Sequence, residues 1–198
     1  GSLVFLKALV HATGSPVLAV NLYFLASFPV TALVTYVVLR RLELSRPFAV
    51  CGALLFAFAP FHILRVWHLY YAWYWVVPVF FLIALRLASD SPRTAVPTAG
   101  GKAWTGGLLL LALSSFGVYY AFFGVLLLLA GGVLGSLARR QAASLGVALA
   151  ASAIVSAGVA LNVAPSVAER LSAGGNPEVA RRVAPETEVL GLKLTQLL

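Results

Sequence analysis

A polytopic, all-α membrane protein is the fold class this sequence predicts, and three observations carry the prediction. Apolar residues make up 61% of the chain and charged residues 10%, against roughly 45–50% apolar usage in soluble domains. The mean hydropathy is +0.97. The charges fall into short clusters separated by long uncharged runs, and a bilayer core about 30 Å thick takes about 20 apolar helical residues to cross. Such runs recur along the chain, which excludes a single secretory signal in front of a polar mature protein. A soluble domain of this composition could not solvate its own surface.

Breaks at charge clusters, Pro and Gly divide the chain into elements. Residues 1–15 carry Lys7 and His11 four apart and read as a short amphipathic or re-entrant segment. About six spans follow, at about 16–39, 47–64, 72–87, 103–115, 118–138 and 142–165. They form a helical transmembrane domain over 1–165, with a polar extracytoplasmic tail at 166–198 that leads toward further spans. From Ala103 to Ala138 there are 36 residues without a charge. At about 1.5 Å of rise per residue that is too long for one crossing. A break at "SSFGVYY", residues 114–120, makes it a short fourth span and a full fifth.

The loops after the first, third and fifth spans hold eight cations: Arg40, Arg41, Arg46, Arg86, Arg93, Lys102, Arg139 and Arg140. The opposite side holds six: Lys7, Arg65, Arg170, Arg181, Arg182 and Lys193. The positive-inside rule puts the first set in the cytoplasm. The net charge of +8 then reflects topology and anionic lipid, not nucleic acid. The single cysteine, Cys51, excludes an internal disulfide and reads as a small buried hydrophobe. No CxxC, HExxH or Cys/His ligand spacing occurs. No cofactor is evident, and a divalent metal stays open.

The residues that carry chemistry concentrate in "APFHILRVWHLYYAWYW", residues 59–75, at the turn after the second span. Trp67, Tyr70, Tyr71, Trp73, Tyr74 and Trp75 fit an aromatic belt at headgroup level. His62, Arg65 and His68 are spaced three apart and share one face of a helical turn. A fixed guanidinium between two imidazoles makes a cradle for a phosphate or carboxylate, and would add a pH dependence to its binding. Interfacial snorkelling is the alternative. Tyr119 and Tyr120 follow the second outward turn and meet this stretch if the outward loops share one cavity. Asn21, at membrane depth, reads as helix glue. Gly131 with Gly135, and Ala148, Ser152, Ser156 and Ala160 at four-residue spacing, read as helix-contact faces. In the tail, Glu169, Glu178, Glu186 and Glu188 flank Arg181 and Arg182, as a solvated loop or a polar-ligand site.

The order of "NLYFLASFPVTALVTYVVLRRLELSR", "LLFAFAPFHILRVWHLYYAWYWVVP", "SSFGVYYAFF", "NPEVARR" and "ETEVLGLKLTQLL" resembles that of bacterial multi-spanning glycosyltransferases of the GT-C type, grouped with sugar translocases of the cell envelope. The resemblance covers most of the chain. It implies transfer of a sugar from a polyprenyl-phosphate donor on the extracytoplasmic face of the inner (plasma) membrane. It also implies that basic residues at the membrane boundary hold the lipid phosphate. His62, Arg65 and His68 match that role, with Tyr119, Tyr120 and Arg182 as further lipid-phosphate or substrate contacts. The alternative is a non-enzymatic translocator or scaffold for a lipid-linked glycan. Members of the type place a catalytic carboxylate in the first outward loop, whereas here no acid precedes Glu43. With no methionine in the sequence, the chain reads as a fragment whose acidic base lies elsewhere.

Overall fold

The computed structural model describes residues 2–64, 68–89, 95–96 and 102–174, with no strand among them. The helices are α1 (Ser2–Thr13), α2 (Pro16–Arg41), α3 (Arg46–Ala57), the four-residue α4 (Pro60–Ile63), α5 (Val76–Ser89), α6 (Ala103–Ser114), α7 (Val118–Arg139) and α8 (Ala143–Ala173). A 3-10 turn, Leu69–Tyr71, leads into α5. Five segments are long and apolar enough to cross a bilayer: Pro16–Arg41, Arg46–Ile63, Leu69–Ser89, Val118–Arg139 and Ala143–Ala173. The protein is an all-α, polytopic membrane protein. The helices α1 and α6, of 12 residues each, reach only about 18 Å.

Local chemistry sets the boundaries. Ser15 accepts the Leu18 amide at 3.3 Å and Pro16 occupies the first turn of α2, where its missing N–H leaves no bond unmade. The second span breaks at Phe58 and Ala59 because Pro60 disfavours helix in the residue before it. Arg140 closes α7 in the left-handed region at φ 52°. The chain divides into two units, Gly1–Asn162 and Val163–Leu198. The described part of the second is the exposed end of α8, with Pro165 inside it.

Lipid is as apolar as leucine, so helices in a membrane associate through small residues and hydroxyls more than through hydrophobic burial. The helix α2 buries Tyr23, Ser27, Thr31 and Thr35, each four residues from the last, and its neighbour α3 buries Ala49, Ala53 and Ala57. The helices α5 and α7 run parallel in closer contact. Gly124 lies under the Phe80 ring, where a Cβ would meet ring carbons at 2.6 Å, while Gly131 and Gly135 abut the carbonyls of Ala84 and Leu87. Phe80, Ile83, Leu87, Leu128 and Val155 form the centre of the core.

Three sequence expectations are corrected. The buried row of α8 is Ser144, Ala148, Ala151, Ser152, Val155 and Gly158, and Ser156 and Ala160 are exposed. A four-residue step overshoots the 3.6-residue turn by about 40°, and α8, unlike α2, turns back to its interface after Ser152 through the three-residue steps to Val155 and Gly158. Cys51 is exposed, not buried, because the outer face of a span is as apolar as its inner one. Asn21 is exposed as well, so it joins no other helix among the described residues.

Candidate functional site

The stretch after α3 begins as a capping device. A helix end leaves four carbonyls without intrahelical partners. Here the Ala57 carbonyl receives His62 Nδ1–H at 2.7 Å, and the Phe56 carbonyl receives the Tyr74 hydroxyl at 2.6 Å. The other ring nitrogen of His62, Nε2, pairs with Ser27 Oγ of α2 at 2.6 Å. The imidazole also stacks on Phe28 with ring centroids 3.8 Å apart and planes 6° apart. His62 is fully buried, with both nitrogens engaged inside the fold. It joins α2 to the end of α3 and presents no donor to solvent.

Trp73 continues this inward fold. Its indole N–H donates to the Tyr23 carbonyl at 3.2 Å. The ring lies 4.9 Å from Tyr23, 5.1 Å from Phe5 and 5.9 Å from Phe116. Trp73 and Tyr74 are therefore core residues, and among the described members of the expected belt Tyr70 is the exposed one, while Trp67 lies outside the described residues. The reason is that the chain from 68 to 75 turns into the end of the bundle, where Trp73 packs between α2 and the α6–α7 turn and Tyr74 packs on the end of α3 and on α4.

That packing seats the two turns side by side. Gly117 takes φ 136°, a region that residues with side chains rarely adopt, and a Cβ there would meet the Tyr120 ring at 3.1 Å. From this turn Tyr120 reaches across and donates its hydroxyl to the Tyr71 carbonyl at 2.5 Å. The Tyr71 ring lies 5.5 Å from Tyr119 and 6.0 Å from His68. His68 and Tyr119 are exposed. One imidazole and three phenol rings from two distant stretches thus form one surface at the end of the bundle opposite Arg40 and Arg139. Flat rings can carry a sugar ring or an alkyl chain, and the exposed Tyr119 hydroxyl and His68 imidazole can donate to phosphate or hydroxyl oxygens.

The structure joins His68, Tyr119 and Tyr120 and sets His62 apart. His62 and His68 do not share one helical face, because α4 stops at Ile63 and His68 has φ −132° and ψ 62°. Arg65 and Arg182 lie outside the described residues. Among the described residues no three His, Cys, Asp or Glu side chains come together for a metal. Sequence reasoning missed Tyr71, whose place between His68 and Tyr119 depends on a turn 49 residues away. It also missed Arg139, counted only as a charge. Arg139 caps α5 by donating to the Leu87 and Ala88 carbonyls at 2.5 and 3.0 Å, and it bonds Ser144 Oγ of α8.

A family model described as "Domain of unknown function (DUF6311)" matches residues 2–177. Comparison with curated proteins and with solved structures yielded no match.

Proposed function

The chain belongs to the DUF6311 family, and we propose that it is the helical core of a GT-C-like glycosyltransferase of the bacterial inner membrane, using a polyprenyl-phosphate sugar in envelope glycan synthesis. The observation that carries the reading is the convergence of His68 and Tyr71 with Tyr119 and Tyr120 across two turns. A lipid-linked sugar presents a sugar ring beside a phosphate at the membrane boundary, and this surface offers aromatic rings beside polar donors. In the reaction, the bond between the sugar's anomeric carbon and the lipid phosphate breaks. The acceptor oxygen bonds to that carbon, its proton passes to a carboxylate base, and the lipid phosphate leaves with the electron pair. No described residue of the cluster is assigned as that base.

The test is binding of a short-chain polyprenyl phosphate and of its sugar-linked form to the purified full-length protein. Tyr119→Ala is expected to weaken the sugar-linked form more than the bare phosphate. If Arg65 holds the phosphate through charge-assisted bonds worth roughly 1.5–3 kcal/mol each, Arg65→Ala weakens both forms about tenfold or more. Arg65→Lys recovers part, since an ammonium lacks the planar fork. Equal affinities across these variants would remove the donor site. Donor binding without sugar transfer to any acceptor would favour a translocator or scaffold over an enzyme.

A further inference from the structure

Away from the aromatic cluster, α2 and α3 enclose an apolar groove of about 450 Å³, within the roughly 300–1,000 Å³ typical of small-molecule sites. Leu33 and Tyr36 of α2 and Val50 and Leu54 of α3 line it, and every lining side chain except Tyr36 is apolar. Phe28 and Phe58, with ring centroids 5.3 Å apart, stand at the end nearer His62. At the other end, the lining rows continue at helical spacing into two cations. Arg40 is one turn beyond Tyr36, and Arg46 is one turn before Val50. Both are exposed. Arg40 Nη1 donates to the Leu44 carbonyl, which holds the guanidinium at the α2–α3 turn with Nε and Nη2 bonded to no other described residue. With Arg41 also present, the turn holds three arginines against one acid, Glu43.

An apolar groove alone is what any lipid-facing surface can offer. A groove whose lining rows lead toward two exposed guanidinium groups is complementary to a long hydrocarbon with an anionic head. The length agrees as well. Phe28 to Arg40 covers about 18 Å of helix axis, close to the half-thickness of a bilayer core about 30 Å across, so the groove matches the acyl chain of one leaflet. We infer that α2 and α3 hold one anionic phospholipid, with an acyl chain along the groove and its phosphate at Arg40 and Arg46. This site lies at the opposite end of α2 from the donor surface and does not depend on the glycosyltransferase reading.

The full chain, purified in nonionic detergent, is mixed with micelles of dioleoyl phosphatidylglycerol or dioleoyl phosphatidylcholine, and retained lipid is read by native mass spectrometry. Wild type is expected to retain one phosphatidylglycerol in preference to phosphatidylcholine. Arg46→Gln alone, and more so with Arg40→Gln, lowers that retention, by about tenfold or more for the pair. Arg41→Gln removes the same charge off the row and leaves retention in place. Ala32→Trp, which fills the groove, abolishes it. Helix content and melting are recorded for each variant, and the exposed Arg46→Gln alone decides the point if Ala32→Trp does not fold. Equal retention of the two lipids, or equal losses in Arg41→Gln and Arg46→Gln, would overturn the inference. So would a lipid-free dimer that Ala32→Trp dissociates, which would assign the groove to a second copy.

Discussion

His62 shows how one residue can be legible as unusual and illegible in role. Its presence beside Arg65 and His68 in an otherwise apolar chain marks it in the sequence. Its partners, Ser27 at 35 residues' separation and the Ala57 carbonyl, follow from how α2 meets α3. A buried polar group that loses its partner costs about 1–3 kcal/mol. His62→Ala leaves the Ala57 carbonyl with only the longer bond from the Tyr74 hydroxyl and Ser27 with only its bond to the Phe24 carbonyl, and it opens space beside Phe28, so it is expected to destabilise the protein. His68→Ala, at an exposed position, leaves stability near wild type and weakens donor binding. Denaturant titration in detergent, run beside the polyprenyl-phosphate assay, separates the two. A His62→Ala protein of wild-type stability with weakened donor binding would return His62 to the ligand.

At the scale of elements, the long spans were readable because bilayer thickness forces a run of apolar residues whatever packs around it. Which face of a span is buried was not readable, because both faces are apolar. Glycine is the exception, since its missing side chain records close approach, and Gly131 and Gly135 do sit against the α5 backbone. Gly131→Ala and Gly135→Ala are expected to lower the melting temperature in detergent, because each added Cβ meets a backbone carbonyl that cannot swing aside. Gly107→Ala, with no atom within 4 Å of its Cβ, is expected to be neutral or to stabilise by up to about 1 kcal/mol, since alanine favours helix over glycine. The row on α8 gives a second contrast. Ser152→Leu places a large side chain in the interface and destabilises, whereas Ser156→Leu, on the exposed side, is tolerated. Equal effects at 152 and 156 would mean that the helix is rotated from the position described.

For the molecule as a whole, charge distribution and packing direction lead to one arrangement by separate routes. Trp73 meets the Tyr23 carbonyl near the start of both α2 and α5, and Arg139 meets the Leu87 and Ala88 carbonyls where α5 and α7 end. The ends of α2, α5 and α7 therefore point the same way, and Arg40, Arg41, Arg86 and Arg139 gather at one end of the first unit. The turns bearing His68, Tyr71, Tyr119 and Tyr120 gather at the other. By the positive-inside rule the arginine end is expected in the cytoplasm, which would face the proposed donor surface outward and place the α2–α3 groove in the inner leaflet. Single cysteines test this on intact cells after Cys51→Ala removes the native thiol. A thiol from Ser45→Cys, in the α2–α3 turn, is expected to react with a membrane-impermeant maleimide only after the cells are opened. One from Ser115→Cys, in the α6–α7 turn, reacts before. The reverse order would invert the protein and put the aromatic surface in the cytoplasm, where a donor presented on the outer face could not reach it. Labelling of both from the same side would mean that α6 and α7 do not start and end as opposite partners of α2, and would require a different set of crossings.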